Sequence, residues 1–244
     1  MIVHTLDVSG ASSLVHDFVP TTLAHASAIA GDEWQLDPQR LVLTRHKAAD
    51  DDAWVRLGMI LELLAVRGAV VGIEVALRGY DDHSATLEVS SLEAAMANDE
   101  RLASCTNLLA RPFAAGSSRV PAHASARLSS AASVHGARLT WHAAPHVIGE
   151  IATIAASTGD PVPAHVRAVA IVHGVGDDVP QLVAGGRATA RVCLEAASLG
   201  LSILVSVPIA RHAWAGVPAA SSLLRTYRAL VEDDALELMM IWVG

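Results

Sequence analysis

RLVLTRHKAADDDAWVRLGMILELLAVRGAVVGIEVAL, residues Arg40 to Leu77, reads as a strand, an acidic turn, an apolar helix and a second strand. Arg40–Arg45 mixes aliphatic and β-branched side chains, as a strand does. Asp50, Asp51 and Asp52 put negative charge where a helix begins, which the helix dipole favours. From Ala53 to Arg67 only Arg56 and Glu62 interrupt the apolar body, and a helix apolar nearly all round is buried nearly all round. Gly68 is placed to end that helix in the left-handed conformation. Ala69–Leu77 then forms a strand, with Glu74 as its exception.

Residues Arg167 to Val207 give the same reading again: RAVAIVHGVGDDVPQLVAGGRATARVCLEAASLGLSILVSV. A strand over Val166–His173 leads into a turn at Gly174–Pro180, where Asp177 and Asp178 precede a helix. The helix is expected over Gly186–Leu199, ended by Gly200, with a strand at Leu201–Val207. Gly68 and Gly200 lie 132 positions apart, about half of the 244 residues. A buried helix that occurs twice implies two lobes facing each other, a dimer fused into one chain. On the second helix Arg187, Arg191 and Glu195 stand four apart on one stripe. An Arg191–Glu195 pair on an exposed face would contribute about 0.3–0.5 kcal/mol.

The rest of the chain is read as follows. A weak helix covers Thr22–Ala30. Residues 79–120 form a connector, with helical periodicity over Leu92–Leu109. Helices are expected at His123–His135, Val147–Ser157 and Ser221–Val231, and strands at Ala137–His142 and Leu238–Val243. Strands alternating with helices predict an α+β or α/β sandwich around buried sheet.

Composition excludes several function classes. The chain is 52% hydrophobic with a net charge of -8, and no basic cluster interleaves with aromatics, so a nucleic-acid partner is not expected. The window Leu57–Leu77 is broken by Glu62, Arg67 and Glu74, which predicts a buried helix and strand and no membrane span. Two cysteines, Cys105 and Cys193, make no disulfide framework, and no signal peptide is visible, so a reduced cytoplasmic setting is expected. His142 and His146 have i,i+4 spacing, but Pro145 between them breaks helical geometry, and no metal site is expected. Neither a GxSxG elbow nor a Walker loop occurs.

The run GGRATARVCLEAASLGLSILVSVP (Gly185 to Pro208) resembles the central helix and following strand of the nitroreductase family. The ending LMMIWVG is similar to that family's last strand. Arg111 to Trp141 looks like its opening Arg-rich segment, helix and strand. A second copy in one chain resembles the two-lobed Acg-type branch. The resemblance implies an α+β fold of mostly antiparallel sheets flanked by helices. It divides the chain into lobes at 1–110 and 111–244, a monomeric pseudo-dimer or a homodimer of it.

It also implies an FMN-dependent oxidoreductase, with flavin between the lobes accepting hydride from NAD(P)H or a small-molecule substrate. Flavin needs phosphate donors, a flat slot for its ring and hydrogen bonds to its polar edge. Carried over position by position, Ser27, Trp34 and Gly79 would line the ring, and Arg78, Arg111 and Arg211 stand at phosphate or turn positions. The match is imperfect. Ala30, Asp32 and Glu33 stand where the family has Asn, Gln and Pro, which removes hydrogen-bond donors and adds two carboxylates. Arg78 and Arg211 replace the Glu and Gly of the family's turn. The alternative is therefore a non-catalytic descendant that has lost FMN turnover, storing flavin, binding another small molecule or serving as a partner subunit.

Overall fold

The computed structural model describes residues 18, 21–22, 34–37, 40–45, 49–91, 97–109, 113, 120–157, 159, 161–206, 225–229 and 236–244. The fold is α+β, with two four-stranded antiparallel sheets. The first is built from β1 (Gln35–Asp37), β2 (Val42–Thr44), β3 (Ile73–Asp81) and β4 (Ser84–Ser91), in the order β1-β2-β4-β3. The second is built from β5 (Arg138–His142), β6 (Ala168–His173), β7 (Ile203–Ser206) and β8 (Glu237–Val243), in the order β5-β6-β8-β7. Each sheet thus has its strands in the order first, second, fourth, third. Typical registers are Val75 opposite Val89 in the first sheet and Val205 opposite Ile241 in the second.

Between second and third strand of each sheet runs a helix of 20 residues, α1 (Asp51–Val70) for the first sheet and the helix Val179–Ser198 for the second. Asp50 caps the former by accepting the Ala53 N–H at 2.9 Å, and Asp178 caps the latter by accepting the Gln181 N–H at 2.8 Å. A cap of this kind satisfies one of the donors a helix start leaves open. The C-terminal ends match too. Gly72 (φ 74°) and Gly200 (φ 73°) follow the two helices in the left-handed region that glycine tolerates best. The caps Asp50 and Asp178 and the glycines Gly72 and Gly200 are each 128 positions apart.

This corrects the expected pairing of Gly68 with Gly200. Gly68 lies inside α1, because a Cβ there would come 2.7 Å from the Ile73 carbonyl oxygen. Its role is close approach of the returning strand. The helix runs on to Val70, and the strand expected at Ala69–Leu77 starts at Ile73. The second-lobe helix begins at Val179, seven residues before the expected start at Gly186. Gly185 and Gly186 look like helix breakers in a sequence, yet both are buried contact points here: a Cβ on Gly185 would overlap Leu238.

Residues 79–120 are not a mere connector. Ser84–Ser91 is an eight-residue strand that forms a hairpin with β3 through Asp82 and His83. After it come α2 (Ala97–Ala103) and a 3-10 turn at Thr106–Leu108. The remaining helices are α3 (Ala124–Ser133) and α4 (Pro145–Ser157), close to the expected positions. The helix Val179–Ser198 is α5. Of the helix expected at Ser221–Val231, residues 225–229 are described and helical.

The two sheets differ in cover. β6 and β8 are buried at every position, and their sequences AVAIVH and ELMMIWV are near-continuous apolar runs. One face of that sheet joins the main core through Ala170, Val172 and Ile241, and the other packs Ile171, Met240 and Trp242 against Ile148, Ile151 and Ile154 of α4. Strands covered on both faces lose the polar alternation. In β3 the alternation survives, with Ile73 and Val75 buried and Glu74 and Ala76 exposed. Among the described residues, no helix is long and apolar enough to cross a membrane.

Candidate functional site

The implied flavin residues come first. Trp34 is 6% exposed, and its indole N–H donates to the Ala53 carbonyl at 3.0 Å. The ring lies 5.8 Å from that of Trp54, and the Arg45 guanidinium stands 5.6 Å from its centroid. Trp54 in turn meets Tyr80 edge-on at 5.2 Å. Arg78 and Gly79 precede Tyr80 on β3, where the register shifts between Leu77 and Gly79. The Arg78 side chain is exposed, and a Cβ on Gly79 would meet nothing within 4 Å. The aromatic chain thus brings Trp34 and the Arg78–Gly79 segment to one end of the first lobe. Ser27, Arg111 and Arg211 lie outside the described residues.

A second constellation sits where α1, α2, α3 and α5 meet. Glu62 of α1 is fully buried, yet it carries a carboxylate. Its Oε2 accepts Nε of Arg187 at 3.1 Å and its Oε1 accepts Nη1 of Arg191 at 2.6 Å. Nε2 of His135, just past α3, lies 2.9 Å from Oε2. Burial by itself would raise the Glu62 pKa, but His135, Arg187 and Arg191 outweigh it and hold the carboxyl at about 2. Arg191 also reaches Asp99 of α2 through Nη2 at 2.8 Å.

Glu195 does not pair with Arg191 on an exposed face, as the i,i+4 spacing suggested. It is buried and is held instead by Arg101 of α2, at 2.5 Å, and by Arg127 of α3. Ser198 Oγ accepts from Arg101 Nη1 at 2.5 Å and from Arg127 Nη2 at 3.4 Å. The reason is tertiary. The polar stripe of α5 faces α1, α2 and α3, and partners in a less polar setting attract more strongly than a neighbour in water. Each acid here needs its partners, because a buried charge stripped of one typically costs about 3–5 kcal/mol.

The three helices leave a cavity of about 320 Å³ between them. Arg127, Ser130, Ala131 and Val134 line it from α3 and its end, at a spacing that puts them on one stripe. Arg101 and Leu102 contribute from α2, and Arg191 and Glu195 from α5. Three guanidiniums therefore face one carboxylate around it. The signals for this site in the sequence were Glu62, an acid inside an apolar helix, and the stripe of Arg187, Arg191 and Glu195. Nothing local marked Asp99, Arg101, Arg127 or His135 as its neighbours.

The charges differ between the two long helices. At the α1 positions 128 residues earlier, Arg187, Arg191 and Glu195 correspond to Met59, Leu63 and Arg67, and Glu62 corresponds to Ala190. α1 has apolar Met59 and Leu63 where α5 has Arg187 and Arg191, and at the third position Arg67 stands for Glu195. No protein-family model matches the chain, and a comparison with the curated proteins finds no match.

Proposed function

We propose that the chain is a fused pseudo-dimer of the nitroreductase type that works as a small-molecule-binding protein, without NAD(P)H-driven flavin turnover. The pseudo-dimer is supported by the shared strand order, the two 20-residue helices and the caps and glycines 128 positions apart. The loss of turnover rests on one observation, the sealing of Trp34. Its indole N–H is spent on Ala53 and its ring on Trp54 and Arg45, so it is a core residue and does not fit the wall of a flavin slot. Asp32 and Glu33, beside it in the chain, would further repel a flavin phosphate.

A second reading, an FMN-dependent oxidoreductase with flavin between the lobes, draws on the gathering of Trp34, Arg78 and Gly79 at one end of the first lobe. The visible spectrum of the purified protein and an FMN titration by fluorescence quenching separate the two. The first reading expects a colourless protein that neither quenches FMN nor oxidises NAD(P)H when FMN is added. Bound flavin together with NAD(P)H turnover overturns it.

A further inference from the structure

We infer that the cavity between α2, α3 and α5 is a binding site for a small organic oxyanion, a compact phosphate or carboxylate head on a short apolar body. This gives the small-molecule-binding reading a ligand class and rests on that reading. The lining residues carry three cations, Arg101, Arg127 and Arg191, against the single acid Glu195. With the adjoining Glu62, Asp99 and Arg187 counted, the cluster still holds four arginines and three acids. The site therefore keeps a positive surplus inside a chain of net charge -8.

Guanidinium suits an oxyanion because its planar fork presents five donors and can meet two oxygens at once. The contacts of Arg127 with Glu195 and Ser198 both run through Nη2, so its other donors are not spent on those two partners. Arg101 and Arg127 are each 39% exposed at the side chain, which leaves them within reach of an incoming ligand. The same two arginines are already held in place by Glu195 and Ser198, so a ligand has little ordering to supply. The same two helical segments add apolar lining, with Leu102, Ala131 and Val134. Val134 is 57% exposed although it is a large aliphatic residue at the end of a helix. A cavity of this size exceeds what inorganic phosphate fills and matches the lower range of small-molecule pockets, about 300 Å³. The head would meet Arg127 and Arg101, and the body would cover Val134. Met59 and Leu63 carry no charge at the matching positions of α1, so the arginine stripe is particular to α5.

Calorimetric titration at constant ionic strength tests this, with phenyl phosphate and inorganic phosphate as probes. Wild-type protein is expected to bind one phenyl phosphate saturably, and inorganic phosphate at least about tenfold more weakly, the scale of one lost favourable contact. Val134→Asp places a like charge at an exposed rim position where folding is not at stake, and it is expected to weaken phenyl phosphate about tenfold or more. Arg127→Gln is expected to do the same; if that variant fails to fold, Val134→Asp decides alone. Glu195 and its partners are left intact in the rim variant, so a purely structural role of the cluster predicts no change there. Absence of saturable binding by the wild type, or wild-type affinity in Val134→Asp, overturns the proposal. The flavin titration is read separately: bound flavin with NAD(P)H turnover overturns the previous section, whereas absent phenyl phosphate binding overturns this inference alone.

Discussion

Gly58 of α1 and Gly186 of α5 lie against each other's backbone, each Cα 2.9 Å from where the other would carry a Cβ. The built Cβ of Gly58 overlaps the Val183 carbonyl oxygen, and that of Gly186 overlaps the Val55 carbonyl oxygen. Both glycines and both valines are 128 positions apart, so the crossing is symmetric: each helix offers its glycine to the same point of the other. Small residues at a crossing let two helix axes approach closely, and here the clash partner is backbone, which cannot rotate away.

Gly58→Ala and Gly186→Ala are therefore each expected to destabilise the fold by about 3 kcal/mol, the upper end of overpacking costs. For a chain of this size that lowers the melting temperature by roughly 6–12 °C. Gly149→Ala is the control. It lies in α4 with nothing within 4 Å of its Cβ, and an alanine there should stabilise by about 0.5–1 kcal/mol. Calorimetric melting of the three variants checks the pair. Wild-type stability at either crossing glycine would remove the close approach.

Glu62 makes stability depend on pH with a definite sign. Its carboxyl is held at about 2 in the folded protein, below the ordinary value of 4.5. A depressed carboxylate stabilises the fold above its unfolded pKa, and that contribution is lost as pH falls through the folded value. Glu62→Gln should therefore cost about 3 kcal/mol at neutral pH, and the gap to wild type should close between pH 4.5 and about 2. Denaturant unfolding of both proteins across that window measures it. A gap that persists at its full neutral-pH size at pH 2 would show that the carboxylate charge is not what His135, Arg187 and Arg191 hold.

Gly72 and Gly200 end the two long helices with φ of 74° and 73° and open space around them. Only the backbone conformation is at issue there. Valine at either position should cost about 1–2 kcal/mol through the left-handed strain alone. The two costs should be equal and additive in the double variant, because the sites follow different helices and neither has a neighbour within 4 Å of its Cβ position. Unequal values would break the correspondence between the helix ends.

Cys193 is fully buried on α5, and burial pushes its thiol up to about 12. Since the thiolate is the reactive form, the native protein should resist iodoacetamide at pH 8 at this position. Labelling, read by mass spectrometry, should rise only with denaturant, in step with loss of structure. Rapid native labelling at Cys193 would contradict its place in the core.

Much of the fold was legible because it is written locally. Helix starts are announced by Asp50 and Asp178, whose side chains cap the first turn whatever lies around them. The apolar body of α1 and the two-sided runs of β6 and β8 follow from burial on every face. The hairpin strand Ser84–Ser91 was missed although its alternation is clear, since residues 79–120 were read as a connector, whereas β3 runs on to Asp81 and turns at Asp82 and His83. Gly68, Gly185 and Gly186 misled because a glycine can mean a helix end or a close contact, and the chain alone does not say which.

The sequence by itself determined that two similar helix-and-strand units exist, where the first helix starts, and that both helices are buried. Only the tertiary structure decided their true offset of 128 residues, set where Gly58 meets Gly186 across space. It also decided the partners of Glu62 and Glu195. Arg101, Arg127, His135 and Arg191 come from three different helical segments, and their attraction to those acids depends on distance and on exclusion from water. Neither quantity is a property of residue order. Local hydrogen bonds and periodicity act within a few positions and can be read along the chain, whereas close packing and charge pairing act between segments that only the fold brings together.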